Sequence, residues 1–577
     1  MNSYSGIGVS PGFAIGEAHL LLRDRTDIVP RFIEPEEIPD EVDRFRQAVT
    51  GARRQLRAVR EKIAQHTRSD IAAFIDTHLL MLNDEALVEA PIASIREKQC
   101  AAEWALQLQR DALVRIFDEM EDPYLRTRKD DVDHVVNQIL KNLHLEDEED
   151  DLHQLEGKII VAQDLTPADT ILMRHQGVAA FVTEYGGPMS HTAILARSLG
   201  IPAVVGVHEA TQNIEDTEQL IVDGQQGLVI VEPDGETHDQ YLEKIEAERS
   251  RTASLQELIG KPAETLDGHR IQLLANIELP EDIATTRNLE ADGVGLYRTE
   301  FLYMNRSDIP DEEEHFQAYK QVVDGLKGIP VTIRTLDLGA DKQIDGSSVD
   351  ESPVCNPALG LRAIRLCLKE PQLFMPQLRA ILRASAFGPI RIMIPMISNL
   401  QEVRELKQLV QEAMNSLTRE GIGFDADIPI GGMIEIPAAA LAANAFAREL
   451  DFLSIGTNDL IQYTIAIDRV DDEVNYLFDP LHPSVLRLIQ MVIDAGHAHD
   501  IPVSMCGEMA GDPKYIPLLL GMGLKMFSMQ PGALLEAKRI FRNIDATELQ
   551  ARVAPLMAQL DAPETPERLT RLSGPEA

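Results

Sequence analysis

From residue 261 onwards the sequence alternates between short apolar segments and segments with a helical pattern, and this alternation constrains the fold more than any other feature. Each apolar segment has the length of a β-strand, and the residues after it have apolar side chains at three- and four-residue spacing, as in amphipathic helices. The predicted strands are residues 273–278, 293–301, 331–337, 391–397, 430–437, 452–459, 503–510 and 526–529. Eight such units in about 300 residues predict a (β/α)8 TIM barrel.

The chain before residue 261 combines two kinds of pattern. Residues 35–145 contain few glycines or prolines and carry apolar residues at helical spacing. Short apolar segments precede and follow this stretch, which indicates one small α/β domain with a helical domain inserted into it. The predicted multidomain α/β chain has an α/β domain at 1–20 plus 146–232, an all-helical insertion at 21–145, a linker helix at 233–260 and the barrel at 261–577.

The charge of the chain excludes some classes of partner. Its 577 residues include 54 Lys and Arg against 94 Asp and Glu, a net charge of −40. Such a charge opposes nucleic-acid binding and attachment to an anionic membrane. It suits a basic protein partner, or equally an adaptation to solubility or salt.

The N-terminus and the cysteines indicate a reducing compartment. No basic segment precedes an apolar one, and Pro11 and Glu17 interrupt the first apolar residues, which argues against a signal peptide and a membrane span. We therefore predict a cytoplasmic protein with no membrane insertion. The spacing of the four cysteines fits neither a disulfide framework nor a zinc site. They are Cys100, Cys355, Cys367 and Cys506. One of them remains a candidate catalytic residue.

His191 lies between a glycine turn and a predicted helix, in the segment GGPMSHTAILAR at 186–197. The glycines let backbone approach a ligand, and the free N–H groups and dipole at a helix start favour a bound phosphate. A neutral imidazole is nucleophilic near neutral pH. We interpret His191 as a histidine that becomes phosphorylated; the structural alternative is a buried histidine that caps or packs near a helix start.

Enzymes with a TIM barrel carry the active site at the C-terminal ends of the strands, and residues of coherent chemistry stand at those ends here. Arg298 and Arg334 lie on adjacent predicted strands and could clamp a phosphate or carboxylate. Glu435 and Asp459 also lie on adjacent predicted strands and could hold Mg²⁺. Taken singly, these side chains could instead form surface ion pairs or cap helices, and Cys506 could be a small buried apolar residue.

Several segments resemble a known family. They are GGPMSHTAILAR (186–197), LGIPAVVG (199–206), TPADT (166–170), YLRTRKDDV (124–132), GVGLYRTEFL (293–302), RTLDLGADK (334–342), NPALGLRAIR (356–365), GTNDLIQYT (456–464) and MCGE (505–508). They extend over nearly the whole chain and resemble the enzyme I family of the bacterial sugar phosphotransferase system, within the phosphoenolpyruvate (PEP)-utilising enzymes. The segment QPG at 530–532 departs from the family pattern.

The resemblance implies a phosphotransferase that moves the phosphoryl group of PEP to its own His191 and then to a histidine of the phosphocarrier protein HPr, with release of pyruvate. It implies that Cys506 protonates the enolpyruvate carbon and that Glu435 and Asp459 hold Mg²⁺. The PEP-binding residues it implies are Arg298, Arg334, Asn458, Asp459 and Arg469, with Lys342 and Arg362 as further contacts. It also implies a swivelling phosphohistidine domain, HPr docking on the helical insertion, a hinge in the linker and a homodimer through the barrel.

Three alternatives compete with this interpretation. A PEP synthase or pyruvate phosphate dikinase needs a nucleotide-binding domain, for which the sequence before His191 is too short and lacks a glycine-rich phosphate loop. A nitrogen-regulatory paralogue would bring an N-terminal sensory domain, whereas the family-like sequence begins at about Ser5. A regulatory scaffold without activity is disfavoured because His191 and Cys506 are both present.

Overall fold

The protein consists of two compact units, Met1–Arg251 and Thr252–Ala577. The computed structural model describes residues 2–21, 30–63, 78–82, 84–118, 132, 135–140, 142–143, 155–165, 173, 176–187, 192–193, 196, 200–278, 282–303, 308–338, 357–469, 474–562 and 564–573. Each unit is described by itself below.

The first unit contains an eight-stranded sheet. Its strands are β1 Asn2–Ser5, β2 Ile7–Ser10, β3 Phe13–Leu21, β4 Ile159–Ala162, β5 Ala180–Thr183, β6 Ala203–Val205, β7 Gln219–Asp223 and β8 Leu228–Val231, in the spatial order β1-β8-β7-β3-β4-β5-β6-β2. β3 pairs in parallel with β4, so the chain leaves the sheet after Leu21 and returns to it at Ile159. The N-terminal strands thus belong to the same sheet as the later ones, as the sequence pattern predicts.

The central strands of this sheet are buried on both faces. Successive residues of β4 and β5 alternate between two hydrophobic cores, with Val161 and Val182 in one and Ile160 and Phe181 in the other. Strands covered on both faces have continuous apolar sequence. This explains why β4 is detectable as an uninterrupted apolar run.

The described residues between β3 and β4 form helices that have a core of their own. The helices are α1 Ile38–Ile63, α2 Glu85–Lys98 and α3 Ala102–Asp118, and Phe45, Leu106 and Ile139 lie in their shared core. The Asp84 side chain accepts a hydrogen bond from the Ala86 N–H and so begins α2. Two further helices, α4 Ala210–Asn213 and α5 Gly235–Gln256, follow β6 and β8. The predicted domain boundaries stay predictions.

The second unit is a closed barrel of eight parallel strands, which confirms the predicted fold class. The strands are β9 Gln272–Ile277, β10 Gly293–Tyr297, β11 Val331–Arg334, β12 Ile390–Ile394, β13 Ile430–Ile434, β14 Phe452–Ile455, β15 Val503–Met505 and β16 Met526–Met529. Each lies within one residue of its predicted start, but most end earlier than predicted; β15 ends at Met505 rather than at residue 510. The apolar pattern continues past the strand ends because the loop residues there are buried too, as Met509 and Ala510 are.

Helices surround the barrel and share one large core with its strands. They are α6 Asp282–Asn288, α7 Glu312–Leu326, α8 Ala363–Lys369, α9 Pro371–Ser385, α10 Leu400–Glu420, α11 Pro437–Leu441, α12 Ala443–Phe446, α13 Thr457–Ile465, α14 Pro483–His499, α15 Ile516–Gly521, α16 Leu534–Phe541, α17 Ala546–Met557 and α18 Thr565–Thr570. Capping boxes begin α7 at Asp311 and α10 at Asn399. Among the described helices, none is both long and apolar enough to cross a bilayer.

Candidate active site

A cavity of about 950 Å³ opens where the barrel strands end. Eight residues singled out from the sequence line it: Arg298, Arg334, Arg362, Glu435, Asn458, Asp459, Arg469 and Cys506. They come from distant parts of the chain and meet because parallel strands in a barrel all end at the same face. The other two predicted site residues, His191 and Lys342, lie outside the described residues.

The arginines of the cavity are held by carboxylates. Arg334 is bonded to Glu300 at 3.0 Å and to Asp337 at 3.2 Å, and Arg362 donates to the same Asp337 at 2.9 Å. Arg298 donates to Glu278. Burial lowers the pKa of Arg334, but the charges of Glu300 and Asp337 outweigh it and raise that pKa above its ordinary value. The Arg334 guanidinium is therefore charged, and the ion pairs fix the orientation of these arginines.

Several buried polar atoms at this end of the barrel have no hydrogen-bond partner among the described residues. They are the Arg334 Nε, one oxygen of Glu300 and the hydroxyls of Thr335 and Thr457. Buried polar groups are almost always paired, so a cluster of exceptions needs a reason. A polar ligand or ordered water in the cavity would provide the missing partners for those that face it.

Glu435 is the most deeply buried acid of the cavity, with 1% of its surface exposed. One of its oxygens accepts a hydrogen bond from the Met396 N–H at 2.6 Å, and the other lies where a Cβ on Gly456 would be 2.8 Å away, so glycine leaves it room. Burial first, and then the charges of Asp459 and Asp337, raise the pKa of Glu435 well above its ordinary value. A bound cation would relieve this repulsion.

Asp459 lies in the first turn of α13, and its carboxylate is 3.7 Å from the Arg469 guanidinium. Glu435, by contrast, does not cap α11, whose first residue follows Ile436 without a side-chain cap. Across the described parts of the chain, no group of three or more His, Cys, Asp or Glu side chains is placed to hold a metal ion. The pair Glu435 and Asp459 would leave the other coordination positions to water and substrate, which is the usual arrangement for Mg²⁺.

Cys506 is 4% exposed, lines the cavity and packs against apolar side chains at the mouth of the barrel. Burial raises the pKa of its thiol above the ordinary value, so the sulfur keeps its proton at neutral pH. Its carbonyl oxygen accepts a hydrogen bond from Asn276 at 3.0 Å, and Ser528 fixes the other end of that amide at 2.6 Å. Gly507 is required next to it, because a Cβ there would lie 1.8 Å from the Thr457 hydroxyl.

The sequence interpretation missed Asn276 and Glu278, both of which line the cavity. A sequence signal for both was available at β9. Asn276 is a polar residue inside an apolar strand, and Glu278 is an acid directly after that strand. It also did not foresee that Asn458 pairs with Glu508, donating to its carboxylate at 2.9 Å and accepting from its N–H at 3.1 Å. These partners are 50 residues apart in sequence.

Comparison with known proteins agrees with this geometry. Three sequence profiles of the PEP-utilising enzymes match the chain: the N-terminal domain at residues 5–128, the mobile domain at 154–227 and the PEP-binding domain at 252–546. The phosphoenolpyruvate-protein phosphotransferase of Cupriavidus necator is 45% identical over 580 residues, or 99% of each chain. The chain belongs to this family. The Staphylococcus carnosus member is 41% identical over 548 residues, or 94% of each chain.

Phosphoenolpyruvate-protein phosphotransferases move a phosphoryl group from PEP to protein through a phosphohistidine, and membership gives this chain that activity. Among solved structures, a solution structure of an enzyme I protein aligns with 43% of the chain at 33% identity and a TM-score of 0.36. The PEP-binding profile covers the whole cavity described above. The transferase prediction from the sequence is thus confirmed.

Proposed function

We propose that His191 receives the phosphoryl group from PEP bound in the barrel cavity and passes it to the phosphocarrier HPr, as the first step of a sugar phosphotransferase system. The observation that carries the proposal is the convergence of four arginines, two facing acids and a buried thiol in one cavity of a chain that belongs to this family. The residue roles follow from what each group offers to PEP and its products.

PEP carries a phosphate and a carboxylate, and the arginines supply the matching charges. Arg334 is the last residue of β11, Arg298 directly follows the adjacent strand β10, and both present guanidinium groups that can bind these oxygens in pairs. Arg469, Arg362 and Asn458 complete the set at the same cavity. The arginines are already held in place by carboxylates. The arginine side chains therefore need little rearrangement when PEP binds. Lys342 would add a further contact.

Glu435 and Asp459 are the proposed Mg²⁺ ligands. Two acids that repel each other in a buried site fit a divalent cation, and they supply the hard oxygen ligands that Mg²⁺ prefers. When bound, the ion would offset the negative charge of the phosphate and of the developing enolate. In its absence, Arg334 is the nearby charge that partly balances Glu435.

Cys506 is the proposed acid. Phosphoryl transfer breaks the bond between phosphorus and the enol oxygen of PEP, forms the bond between phosphorus and a nitrogen of His191, and leaves an enolate. As the enolate oxygen becomes the carbonyl of pyruvate, the terminal carbon takes the proton of the Cys506 thiol. A buried thiol that keeps its proton at neutral pH suits this task.

The remaining parts of the proposal concern partners and motion. We propose that HPr docks on the helical domain at 21–145, where acidic residues such as Asp84 and Glu85 would steer a basic partner. His191 and the cavity belong to different units, so the linker at 233–260 would act as the hinge. A homodimer through the barrel and a cytoplasmic location stay predictions of the sequence.

The decisive experiment measures the intact mass of the protein after incubation with PEP and Mg²⁺, without nucleotide. We expect an acid-labile gain of one phosphoryl group, release of pyruvate, and loss of both in His191→Ala. The control His208→Ala removes an exposed histidine of the same unit and should behave as wild type. Phosphorylation of His191→Ala would reject that residue as the acceptor, and subsequent loss of the mass gain on addition of HPr would establish the second transfer.

A further inference from the structure

Two serines inside the barrel form a hydrogen-bonded chain that ends on the Cys506 sulfur. The Ser504 hydroxyl donates to the Ser454 hydroxyl at 3.1 Å, and the Ser454 hydroxyl donates to Cys506 Sγ at 3.3 Å. Ser454 lies on β14 and Ser504 lies on β15. Cys506 is the first residue after β15. The adjacent strands bring the three side chains together.

Apolar side chains pack around the sulfur at the end of this chain, and charged groups of the cavity also act on it. Leu296, Met393, Met433 and Phe452 pack with Cys506 in one buried cluster, and Ser454 itself has no exposed surface. Burial and the charge of Glu435 make a charged sulfur costly, whereas the charges of Arg334 and Arg298 offset part of that cost. Ser454 is the neutral hydrogen-bond donor that directly contacts the sulfur.

The resting thiol has its own hydrogen directed elsewhere. Cys506 Sγ lies 3.7 Å from the Ile455 carbonyl oxygen, which can accept the thiol hydrogen. Ser504 has a second acceptor as well, the Leu453 carbonyl oxygen at 3.5 Å, but the shorter contact is the one to Ser454. With Ser504 donating to it, the Ser454 oxygen is satisfied as an acceptor and its hydrogen remains for the sulfur.

We propose that Ser454 is a positioning residue for Cys506: its hydroxyl fixes the sulfur and stabilises the thiolate that remains after the thiol proton has been transferred, and Ser504 holds Ser454 in the donating orientation. This inference rests on the proposed role of Cys506 as the acid. Ser454 does not line the cavity, so it acts on the reaction only through the sulfur.

The proton balance of the step is simple. The S–H bond of Cys506 breaks, its hydrogen becomes the third hydrogen of the pyruvate methyl group, and the electron pair stays on sulfur as a thiolate. The enolate double bond supplies the electron pair for the new C–H bond as its oxygen becomes a carbonyl. Water entering the cavity after pyruvate leaves returns a proton to the sulfur. The Ser454 hydrogen bond is stronger to the thiolate than to the thiol, so it favours the forward transfer.

The test compares Ser454→Ala with wild type in two assays. We expect kcat for pyruvate formation to fall by about 10- to 100-fold, the range for loss of a hydrogen bond to a charged group, while KM for PEP stays within about twofold. The second assay follows exchange of the pyruvate methyl hydrogens with deuterated water, which requires the sulfur to gain and lose a proton. The exchange rate should fall in parallel with kcat.

Three variants make the result specific. Ser454→Thr keeps the hydroxyl and should recover most of the exchange rate. Ser504→Ala should give a smaller loss in the same direction and tests the inference even if Ser454→Ala does not fold. Ser385→Ala is the control. It removes a buried serine hydroxyl of α9 that donates to the Leu382 carbonyl oxygen and has no bond to Ser454 or Cys506, so both assays should stay unchanged.

The outcomes separate this inference from the proposed function. If Cys506→Ala has lost exchange but folded Ser454→Ala and Ser504→Ala keep wild-type kcat and exchange, Ser454 is only a core residue and the inference is wrong. If Cys506→Ala itself keeps exchange, the acid role and the inference are both overturned, whereas phosphorylation of His191 would remain open to confirmation by mass.

Discussion

At the scale of single residues, Glu435 is held in surroundings that disfavour its charge. It is buried, it faces the negative charges of Asp459 and Asp337, and its hydrogen-bond donor is the Met396 N–H. A carboxyl whose pKa is higher in the folded than in the unfolded state stabilises the fold most at low pH. That stabilisation is lost as pH rises towards the folded-state pKa.

Glu435→Gln should therefore make the fold less sensitive to rising pH. With EDTA present to remove metal ions, the free energy of unfolding of wild type should fall between pH 5 and pH 8 relative to that of the variant. The fall should be about 1.4 kcal/mol for each pH unit, within that range, by which the pKa of Glu435 in the folded state exceeds its pKa in the unfolded state. Thermal unfolding across this range measures the difference, with the exposed Glu412→Gln on α10 as the control. Parallel pH profiles for wild type and Glu435→Gln would contradict the raised pKa.

The same variant bears on the proposed metal site. Mg²⁺ should stabilise wild type at pH 8, because the cation takes the place of the Glu435 proton in balancing the buried negative charge, and should stabilise Glu435→Gln much less. Phosphorylation by PEP should fall by at least about 100-fold in the variant, as expected when charge stabilisation in a catalytic site is removed. An equal Mg²⁺ effect on the two melting curves would place the metal elsewhere.

At the scale of elements, one helix side chain joins the ends of two barrel strands. The Gln377 amide, on α9, accepts from the Leu336 N–H at 2.9 Å and donates to Thr299 and Tyr319, both at 3.1 Å. Thr299 in turn donates to the Arg334 carbonyl oxygen at 3.0 Å. The helix thus fixes the loop after β10, which carries Arg298, and the end of β11, which carries Arg334.

Gln377→Leu keeps the volume of this side chain but removes its hydrogen bonds. We expect a loss of about 2–4 kcal/mol in the free energy of unfolding, because buried donors such as the Leu336 N–H are left without a partner. KM for PEP should rise, since the end of β11, which carries Arg334, loosens. Gln411→Leu, at an exposed position of α10, should change stability by less than about 0.5 kcal/mol. Urea unfolding compares the two, and equal stabilities would show that the network is dispensable.

At the scale of the whole molecule, the chain buries separate hydrophobic cores. The barrel has one large core, and the first unit has distinct cores for its helices and for the two faces of its sheet. The first turns of α5 pack on the sheet, where the Tyr241 hydroxyl donates to Asp223 at 2.9 Å, whereas most residues of the helix after Ile245 are exposed. Units with separate cores can unfold separately.

Calorimetry should therefore resolve more than one unfolding transition. PEP with Mg²⁺ should move only the barrel transition to higher temperature. At a ligand concentration 100 times the dissociation constant, the free energy of unfolding of the barrel should rise by about 2.7 kcal/mol. Arg334→Ala should abolish this shift without moving the other transition. A shift of every transition in wild type would mean that the units unfold together, or that PEP binds outside the barrel.

The sequence predicts the presence and the starts of the barrel strands more accurately than the residues at which they end. The starts of the barrel strands follow from apolar runs of strand length, which depend on local composition. Their ends do not, because loop residues such as Met509 are as buried as strand residues and extend the same pattern. The pairing of Arg362 with Asp337, 25 residues away, leaves no local signal, and neither does the bond from Ser454 to Cys506.

By itself, the sequence determined the barrel, the helical insertion and the residue types available at the strand ends, because periodicity and motif spacing are local properties of the chain. Only the tertiary structure decided which of those side chains meet. Barrel closure places β14 beside β15 and so sets Ser454 against Cys506, and it buries Glu435 opposite Asp459. Burial and the distance between charges set the pKa of a group, and both depend on neighbours that are remote in sequence.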